Sequence, residues 1–168
     1  MCRISIVMPV YGVEKYIRDS VRSICQQTLQ DFELILVNDD TRDKSIEVAL
    51  NELQRLKTRF HYEVVNQKNS GVSVARNTGI KHARADWVIC IDPDDCIHSR
   101  TIEFLDSCLN EYEKDYNLIW FDYQGVSIIP EEWPPKIIFP EIEVFSKEQI
   151  LYSFLIRSVK LIVPAVLV

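Results

Sequence analysis

The sequence lacks an excess of basic residues, and this absence restricts the classes of partner. Its 168 residues include 19 Lys and Arg against 25 Asp and Glu, for a net charge of −6. A chain with this balance has no overall attraction for nucleic acid, so we expect no nucleic-acid partner. A phosphorylated ligand remains compatible with it, because a local metal ion or arginine can reverse the field.

Paired cysteine motifs are missing as well. The chain has an odd number of cysteines, five in all: Cys2, Cys25, Cys90, Cys96 and Cys108. Three of them lie in apolar stretches, which favours reduced, buried thiols in a cytoplasmic protein. Cys90 and Cys96 with His98 match no standard zinc spacing, so we expect no zinc site.

No apolar run is long enough to span a membrane. The stretch 150–168 is strongly apolar, but Arg157 and Lys160 interrupt it, and it falls short of the ~20 residues of a spanning helix. Residues 1–10 are too short an apolar stretch for a signal peptide and are typical of a strand. We therefore expect a location in the cytoplasm or at the inner face of the membrane. The apolar tail leaves both self-association and peripheral membrane association open.

Apolar runs and helical stripes alternate along the first 124 residues. The pattern predicts strands over 4–10, 32–37, 60–65, 88–91 and 118–123. Helices are predicted over 14–29, 43–56 with Asp43 as the cap, 72–83 and 100–116. This alternation is typical of βαβ units, so we predict an α/β fold with a mostly parallel sheet flanked by helices.

The character of the sequence changes after residue 124. Four prolines within 125–145 mark an irregular segment, and a short helix is predicted over 146–155. We therefore divide the chain into a core over 1–124 and the beginning of a second, acceptor-side segment over 125–168.

The stretch V-I-C-I-D-P-D-D, residues 88–95, is the most informative. Four apolar residues run into Asp92, Asp94 and Asp95, and Pro93 ends the strand because it has no amide hydrogen. Side chains two apart on extended backbone point the same way, so Asp92 and Asp94 can converge on a cation such as Mg²⁺ or Mn²⁺. A turn with helix-capping acids is the alternative interpretation.

Two further clusters follow predicted strands, at the sheet edge where open α/β sheets bind ligands. Pro9-Val10-Tyr11 can form an apolar wall for a flat base, or it is a strand-ending turn. Asn38-Asp39-Asp40 can accept a hydrogen bond from a base or a ribose, or it is a turn that caps the next helix. Each cluster alone is a weak signal, and their placement on one edge is what favours a binding site.

A third cluster is N-S-G-V-S-V-A-R-N-T-G, residues 69–79. Gly71 lets the backbone approach a ligand, and a helix that begins just after it offers free amides to phosphate. Arg76 supplies a fork of donors one turn later. The alternative is a helix with a solvated Arg76 and a packing glycine at Gly79.

Together these stretches resemble the family 2 glycosyltransferases of the GT-A fold over about residues 4–97. That family opens with P-x-Y/F-N, here P-V-Y-G, followed by D-D-G-S-x-D-x-S, here N-D-D-T-R-D-K-S. It continues with N-x-G-x-x-x-A-R-N-x-G, here N-S-G-V-S-V-A-R-N-T-G, and a D-x-D motif, here D-P-D-D. This chain departs from the pattern at Gly12, Asn38, Asp40 and Thr41.

The resemblance implies a Rossmann-like GT-A core and a metal-dependent, inverting sugar transfer. The donor would be a nucleotide-sugar, with UDP expected, and the acceptor a glycan or lipid-linked glycan in surface polysaccharide assembly. The residues implied in nucleotide binding come from all four clusters: Pro9, Val10, Tyr11, Asn38, Asp39, Asn69, Gly71, Arg76, Asp92 and Pro93. Asp92 and Asp94 would hold Mn²⁺ or Mg²⁺ on the donor diphosphate.

A catalytic base is the part of this pattern that we do not find. Inverting members use a carboxylate from the acceptor side, and Asp122 is the internal candidate, with a solvated strand end as the alternative. A nucleotide-binding fragment without turnover is therefore a second hypothesis. A third is a phosphatase of the haloacid dehalogenase type with Asp92 as nucleophile, which Asp95 and the late position of the motif argue against.

Overall fold

The structure, a computed structural model, describes residues 2–112, with only the backbone of Tyr112 included. Strands and helices alternate throughout this range: β1 (Ile4–Val10), α1 (Ile17–Cys25), β2 (Phe32–Asn38), α2 (Ser45–Arg55), β3 (His61–Asn66), α3 (Val72–His82), β4 (Trp87–Cys90) and α4 (Thr101–Tyr112). The strands form one parallel sheet in the order β3-β2-β1-β4. The predicted α/β class is confirmed.

The strand order determines where a ligand can bind. β1 pairs with β2 on one side and with β4 on the other, while β3 lies beyond β2. The chain thus runs outward from β1 to β3 and then returns across the sheet to β4. A crevice opens at the carboxyl ends of strands where the order reverses in this way, here between β1 and β4.

Helices cover both faces of the sheet, which explains the unbroken apolar strands. All seven residues of β1 are buried, as expected for a strand that packs on both sides. Alternate residues such as Ile6 join a core with α1, α2 and α4, while Val7 faces Ala75 of α3. The helix α3, which carries the third motif, therefore lies alone on its face of the sheet within the described range.

The predicted helix over 14–29 is wrong at both ends, since α1 spans only Ile17–Cys25. At its amino end, residues 14–16 form a turn instead, in which the carbonyl of Val13 accepts the amides of Tyr16 and Ile17 at 2.9 and 3.0 Å. Its carboxyl end is displaced because the Thr28 amide donates to the carbonyl of Ser99. Asp43 was predicted as the cap of the next helix, but the N-cap position is Lys44; Asp43 precedes it, and its carboxylate accepts the amide of Ser45, the first residue of α2.

Several predictions concern residues outside the described range. They are the strand over 118–123, the helix over 146–155, the boundary at 124 and the candidate base Asp122, and all of them stay predictions. Within residues 2–112, no helix has the length and apolar character needed to cross a bilayer.

Candidate functional site

A cavity of about 470 Å³ opens at the carboxyl edge of the sheet. Its volume falls within the range of small-molecule sites. Its lining combines residues from all four sequence clusters: Pro9, Val10, Tyr11, Val13, Asp39, Asn69, Gly71, Val72, Ala75, Arg76, Asp92, Pro93 and Asp94. Of the described residues expected to contact the nucleotide or the metal, only Asn38 is not part of this lining.

One side of the cavity is an apolar wall. Pro9 and Val10 end β1, and the chain turns at Gly12, whose φ of +68° is readily accessible only to glycine. Tyr11 is 53% exposed and Val72 is 49% exposed. Half-exposed apolar side chains that face a cavity offer a surface on which a flat ring can stack.

Asp39 lies at the back of the cavity and orders the loop before α3. Its Oδ1 accepts hydrogen bonds from Nε2 of Gln67 at 2.7 Å and from the Ser70 amide at 2.8 Å. Its Oδ2 accepts the amide of Gly71 at 2.9 Å. Burial acts to raise the pKa of Asp39, but these bonds outweigh it and hold the pKa below its usual value. The local sequence did not indicate this loop-ordering role.

Asn38 lies beside the cavity rather than in it. Its Nδ2 donates to Oδ1 of Asn66 at 2.9 Å, across to β3. Its Oδ1 accepts the amide of Thr41 at 3.0 Å and so closes the turn after β2. Both ends of this side chain are therefore engaged in holding the chain at the end of the sheet.

Arg76 connects α3 to the loop after β4. It lies one turn into the helix, and its Nη2 donates to Oδ1 of Asp92 at 2.5 Å. Its Nε is buried and has no hydrogen-bond partner among the described residues. A buried donor without a partner is unusual in a folded protein and is often satisfied by a ligand or a water molecule.

The acids after β4 concentrate negative charge at the cavity. Asp94 is exposed, and no group in residues 2–112 donates a hydrogen bond to its carboxylate. Partial desolvation, followed by the charges of Asp94 and Asp92, raises the pKa of Asp95, although this residue is exposed. The cluster is therefore suited to a positively charged ligand.

These acids fit a hard cation that is shared with a bound ligand. Asp92 and Asp94 provide oxygen donors only, which Mg²⁺ and Mn²⁺ accept. No group of three or more His, Cys, Asp or Glu side chains in the described range could hold a metal ion by itself. A cation bound here would consequently complete its coordination with ligand oxygens and water.

Two polar residues of the α1 region hold the loop that carries these acids. Gln27 is buried, donates from Nε2 to the carbonyl of His98 at 2.7 Å and accepts the amide of Ile102 with Oε1 at 3.0 Å. Oγ of Ser23 accepts the amide of Ile97 at 3.1 Å. Sequence reasoning missed both, because a polar residue in a helical stripe does not identify its distant partner.

Comparison with known proteins gives a consistent class. The model of the family described as Glycosyl transferase family 2 matches residues 5–163. The chain is similar to the uncharacterized glycosyltransferase EpsJ of Bacillus subtilis (strain 168), with 42% identity over 102 residues, or 61% of this chain and 29% of that protein. It is also similar to the poly(ribitol-phosphate) beta-N-acetylglucosaminyltransferase TarP of Staphylococcus aureus (strain N315), with 29% identity over 127 residues, or 74% and 38% of the two chains.

A solved structure with the same fold is that of S. aureus TarS 1-349 in complex with UDP-GlcNAc. Its TM-score is 0.67 at 23% identity, over 80% of this chain and 37% of that one. The mannosyltransferase PcManGT from Pyrobaculum calidifontis in complex with GDP-Man and Mn²⁺ has a TM-score of 0.65 at 17% identity, over 73% and 36%. The chain thus spans well under half the length of these proteins. The matches favour neither the phosphatase nor the fragment without turnover.

Proposed function

The chain belongs to glycosyl transferase family 2 and has the GT-A fold, and from this premise we propose that it binds the nucleotide-sugar donor of an inverting glycosyltransferase. The observation that supports the proposal is that the same cavity is lined by Tyr11, Asp39, Arg76 and Asp94. The proposed donor is a UDP-sugar, and the proposed acceptor is a glycan or lipid-linked glycan of surface polysaccharide assembly. Because the chain spans only part of its relatives, turnover is proposed for the whole protein, at the cytoplasmic face of the membrane.

The base would occupy the side of the cavity formed by the strand β1 and its following turn. Stacking of a pyrimidine on Tyr11 contributes about 0.5–1.5 kcal/mol beyond the area that it buries. Asn69 and Arg76, which line the same cavity, offer polar groups to the edge of the ring and to the ribose. Asp39 keeps the Gln67–Gly71 loop in place beside them.

The diphosphate would lie toward the acids after β4. Arg76 holds one oxygen of Asp92, which leaves the second oxygen for a ligand, and the Asp94 carboxylate is free for the same purpose. A bound Mn²⁺ or Mg²⁺, held by Asp94 and Asp92, would supply Lewis-acid stabilisation of the departing diphosphate.

Two similar structures support the donor class and the cation. The TarS structure contains UDP-GlcNAc and the PcManGT structure contains GDP-Man with Mn²⁺. Since these two differ in the base, the choice of uracil rests on the expected donor and requires a direct comparison of UDP with GDP.

Isothermal titration of the 168-residue chain tests the proposal. We expect UDP to bind more tightly with Mn²⁺ than with EDTA, and GDP to bind more weakly than UDP. Asp94→Asn should abolish the effect of Mn²⁺. Asp31→Asn is the matched control, because it removes the same charge from an exposed position at the amino end of β2.

Absence of UDP binding would contradict the proposed donor site. Equal affinity with and without Mn²⁺ would contradict the role of the acids, and a preference for GDP would change the proposed donor. Sugar transfer from a UDP-sugar by the full-length protein then tests turnover.

A further inference from the structure

Three consecutive backbone amides just after the cavity tyrosine bind side chains of a different loop. Each amide has its own acceptor in the segment from the end of β2 to the first residue of α2: Gly12 donates to Oγ1 of Thr41 at 2.9 Å, Val13 to Oγ of Ser45 at 3.0 Å and Glu14 to Oδ2 of Asp43 at 3.1 Å. We call these three side chains and three amides the clasp. The clasp joins two loops that are 29 to 32 residues apart in sequence.

Asp43 is the residue on which the other two acceptors depend. Its Oδ1 accepts the hydroxyl of Thr41 at 2.7 Å and the hydroxyl of Ser45 at 2.5 Å. A hydroxyl that donates to a carboxylate has only its lone pairs left for other partners. Asp43 therefore orients both hydroxyls as acceptors toward the amides of residues 12 and 13.

The carboxylate of Asp43 stays ionised under ordinary conditions. Burial acts to raise its pKa, but the bonds from Ser45, Thr41 and the Glu14 amide outweigh it and lower the pKa to about 2. The clasp also has a reciprocal bond, because the Lys44 amide donates to Oε2 of Glu14 at 3.0 Å. Both loops are thus held by charge-assisted hydrogen bonds, which are stronger than neutral ones.

The clasped segment forms part of the cavity wall, whereas Asp43 does not line the cavity. Tyr11 comes directly before the clasped amides, and Val13 lines the cavity beside it. Because Tyr11 is 53% exposed, packing of its own ring does little to fix its position. The clasp holds the backbone that directly follows the ring.

We propose that Asp43 is a positioning residue of the donor site, which acts on the nucleotide base through the 12–14 segment and Tyr11. This inference rests on the proposed function. A helix cap alone would account for the bond to the Ser45 amide, but it would not account for the bond to the Glu14 amide or for the orientation of Thr41. Those contacts serve the cavity wall and not the helix α2.

The test compares four variants of the 168-residue chain. Asp43→Asn replaces one acceptor oxygen by a donor, so it breaks at least one bond of the clasp. Thr41→Val removes the acceptor of the Gly12 amide while it preserves the shape, and Thr41→Ser restores the hydroxyl. Glu47→Gln is the control, since it removes a negative charge from an exposed site in the first turn of α2.

The first readout is the affinity for UDP, measured with and without Mn²⁺ well below the unfolding temperature. We expect Asp43→Asn to weaken UDP binding about tenfold, as when the competent arrangement of the wall falls to about a tenth of the population. The ratio of affinities with and without Mn²⁺ should stay unchanged, because the acids after β4 are not touched. Thr41→Val should weaken binding in the same way, and Thr41→Ser should bind like the wild type.

The second readout is hydrogen exchange of the amides in residues 12–14 without ligand, which should lose protection in Asp43→Asn and Thr41→Val but not in Glu47→Gln. If Asp43→Asn fails to fold, the comparison of Thr41→Val with Thr41→Ser tests the inference in its place. Wild-type affinity in the folded clasp variants, or a parallel loss of the Mn²⁺ effect, would overturn the inference. A wild-type chain that binds no UDP would refute the proposed function instead, and unchanged exchange at 12–14 would still refute the clasp.

Discussion

Replacement of Gly79 by alanine is the sharpest test of how the third motif is held against the sheet. Gly79 is buried in the interior of α3, where alanine is normally preferred by about 0.5–1 kcal/mol. Here a Cβ atom would overlap with Cγ1 of Val7, and it would lie 3.0 Å from Cγ2 of Val7 and 3.1 Å from Cγ2 of Val37. The structure therefore predicts that alanine destabilises a position where helix propensity alone says the opposite.

The expected magnitude follows from two opposing terms. Insertion of a methyl group into a packed core costs about 1–3 kcal/mol, and the gain in helix propensity offsets up to about 1 kcal/mol of it. Val7 is fully buried in the central strand β1, so α3 has to move rather than the sheet. We expect a net loss of about 1–2 kcal/mol, together with weaker UDP binding because Arg76 moves with the helix.

Urea unfolding of the 168-residue chain measures the loss. Asn77→Ala is the matched control, because it makes a substitution to alanine at an exposed position of the same helix, and it should be neutral or slightly stabilising. In the double variant Val7→Ala/Gly79→Ala the new methyl group fills the space left by valine. We therefore expect a favourable coupling of about 1 kcal/mol between the two sites.

A Gly79→Ala variant as stable as the wild type would refute the close approach of α3 to β1. Additive effects in the double variant would also refute it, since they would mean that the two side chains do not compete for the same space. A loss of stability without any loss of UDP affinity would show that Arg76 does not need the position that α3 gives it.

Three further predictions concern residues away from the cavity lining. Hydrogen bonds from Arg55, then from Arg22, lower the pKa of buried Glu52 to about 2, although burial acts to raise it. The stabilising effect of this carboxylate is present above its unfolded pKa and is lost as the pH falls from about 5 to 2. Glu52→Gln should therefore flatten the pH dependence of the unfolding free energy by on the order of 2 kcal/mol, and an unchanged pH dependence would contradict this prediction. Lys57 follows α2 with a φ of +50°, where glycine is preferred, so Lys57→Gly should raise the unfolding free energy by about 0.5 kcal/mol; a decrease would mean that the lysine has another role there. Gln27→Leu leaves the buried amide of Ile102 without its acceptor and removes one of the hydrogen bonds to the His98 carbonyl, which keeps the Thr101 amide. It should cost about 2 kcal/mol in urea unfolding, and it should weaken the Mn²⁺ effect on UDP binding, which a purely structural residue would leave intact.

Local sequence rules were enough to predict the fold class and the sheet edge at which the candidate cavity lies. Pro93 follows β4, whereas Pro9 lies within β1 and pairs with Val37. Polar residues or glycines follow each predicted strand, so Tyr11, Arg76 and Asp94 could be assigned to one edge from spacing alone. The packing interpretation of Gly79 was also available from the sequence, because a glycine inside a helical stripe needs a reason. These inferences depend only on neighbours in the chain.

What could not be predicted depends on which loops lie side by side. Asn38 was expected to contact the nucleotide, yet its amide reaches across to Asn66 on β3. The pairing of Asp43 with the Glu14 amide likewise links loops that no local pattern connects. The predicted end of helix 14–29 was wrong for the same reason, since the Thr28 amide, which would have continued the helix, donates to the carbonyl of Ser99.

The three acids that line the cavity differ in how much of each carboxylate the protein itself uses. Asp39 accepts three hydrogen bonds from the loop before α3, and Asp92 gives one oxygen to Arg76. Asp94 accepts none from the described residues. Because each protein hydrogen bond occupies a lone pair that a ligand could otherwise use, this order predicts how each acid responds to substitution by asparagine. Asp94→Asn should change the cation dependence of UDP binding and leave the free energy of unfolding unchanged. Asp39→Asn should mainly disorder the 67–71 loop. Asp92→Asn should have a smaller effect of both kinds.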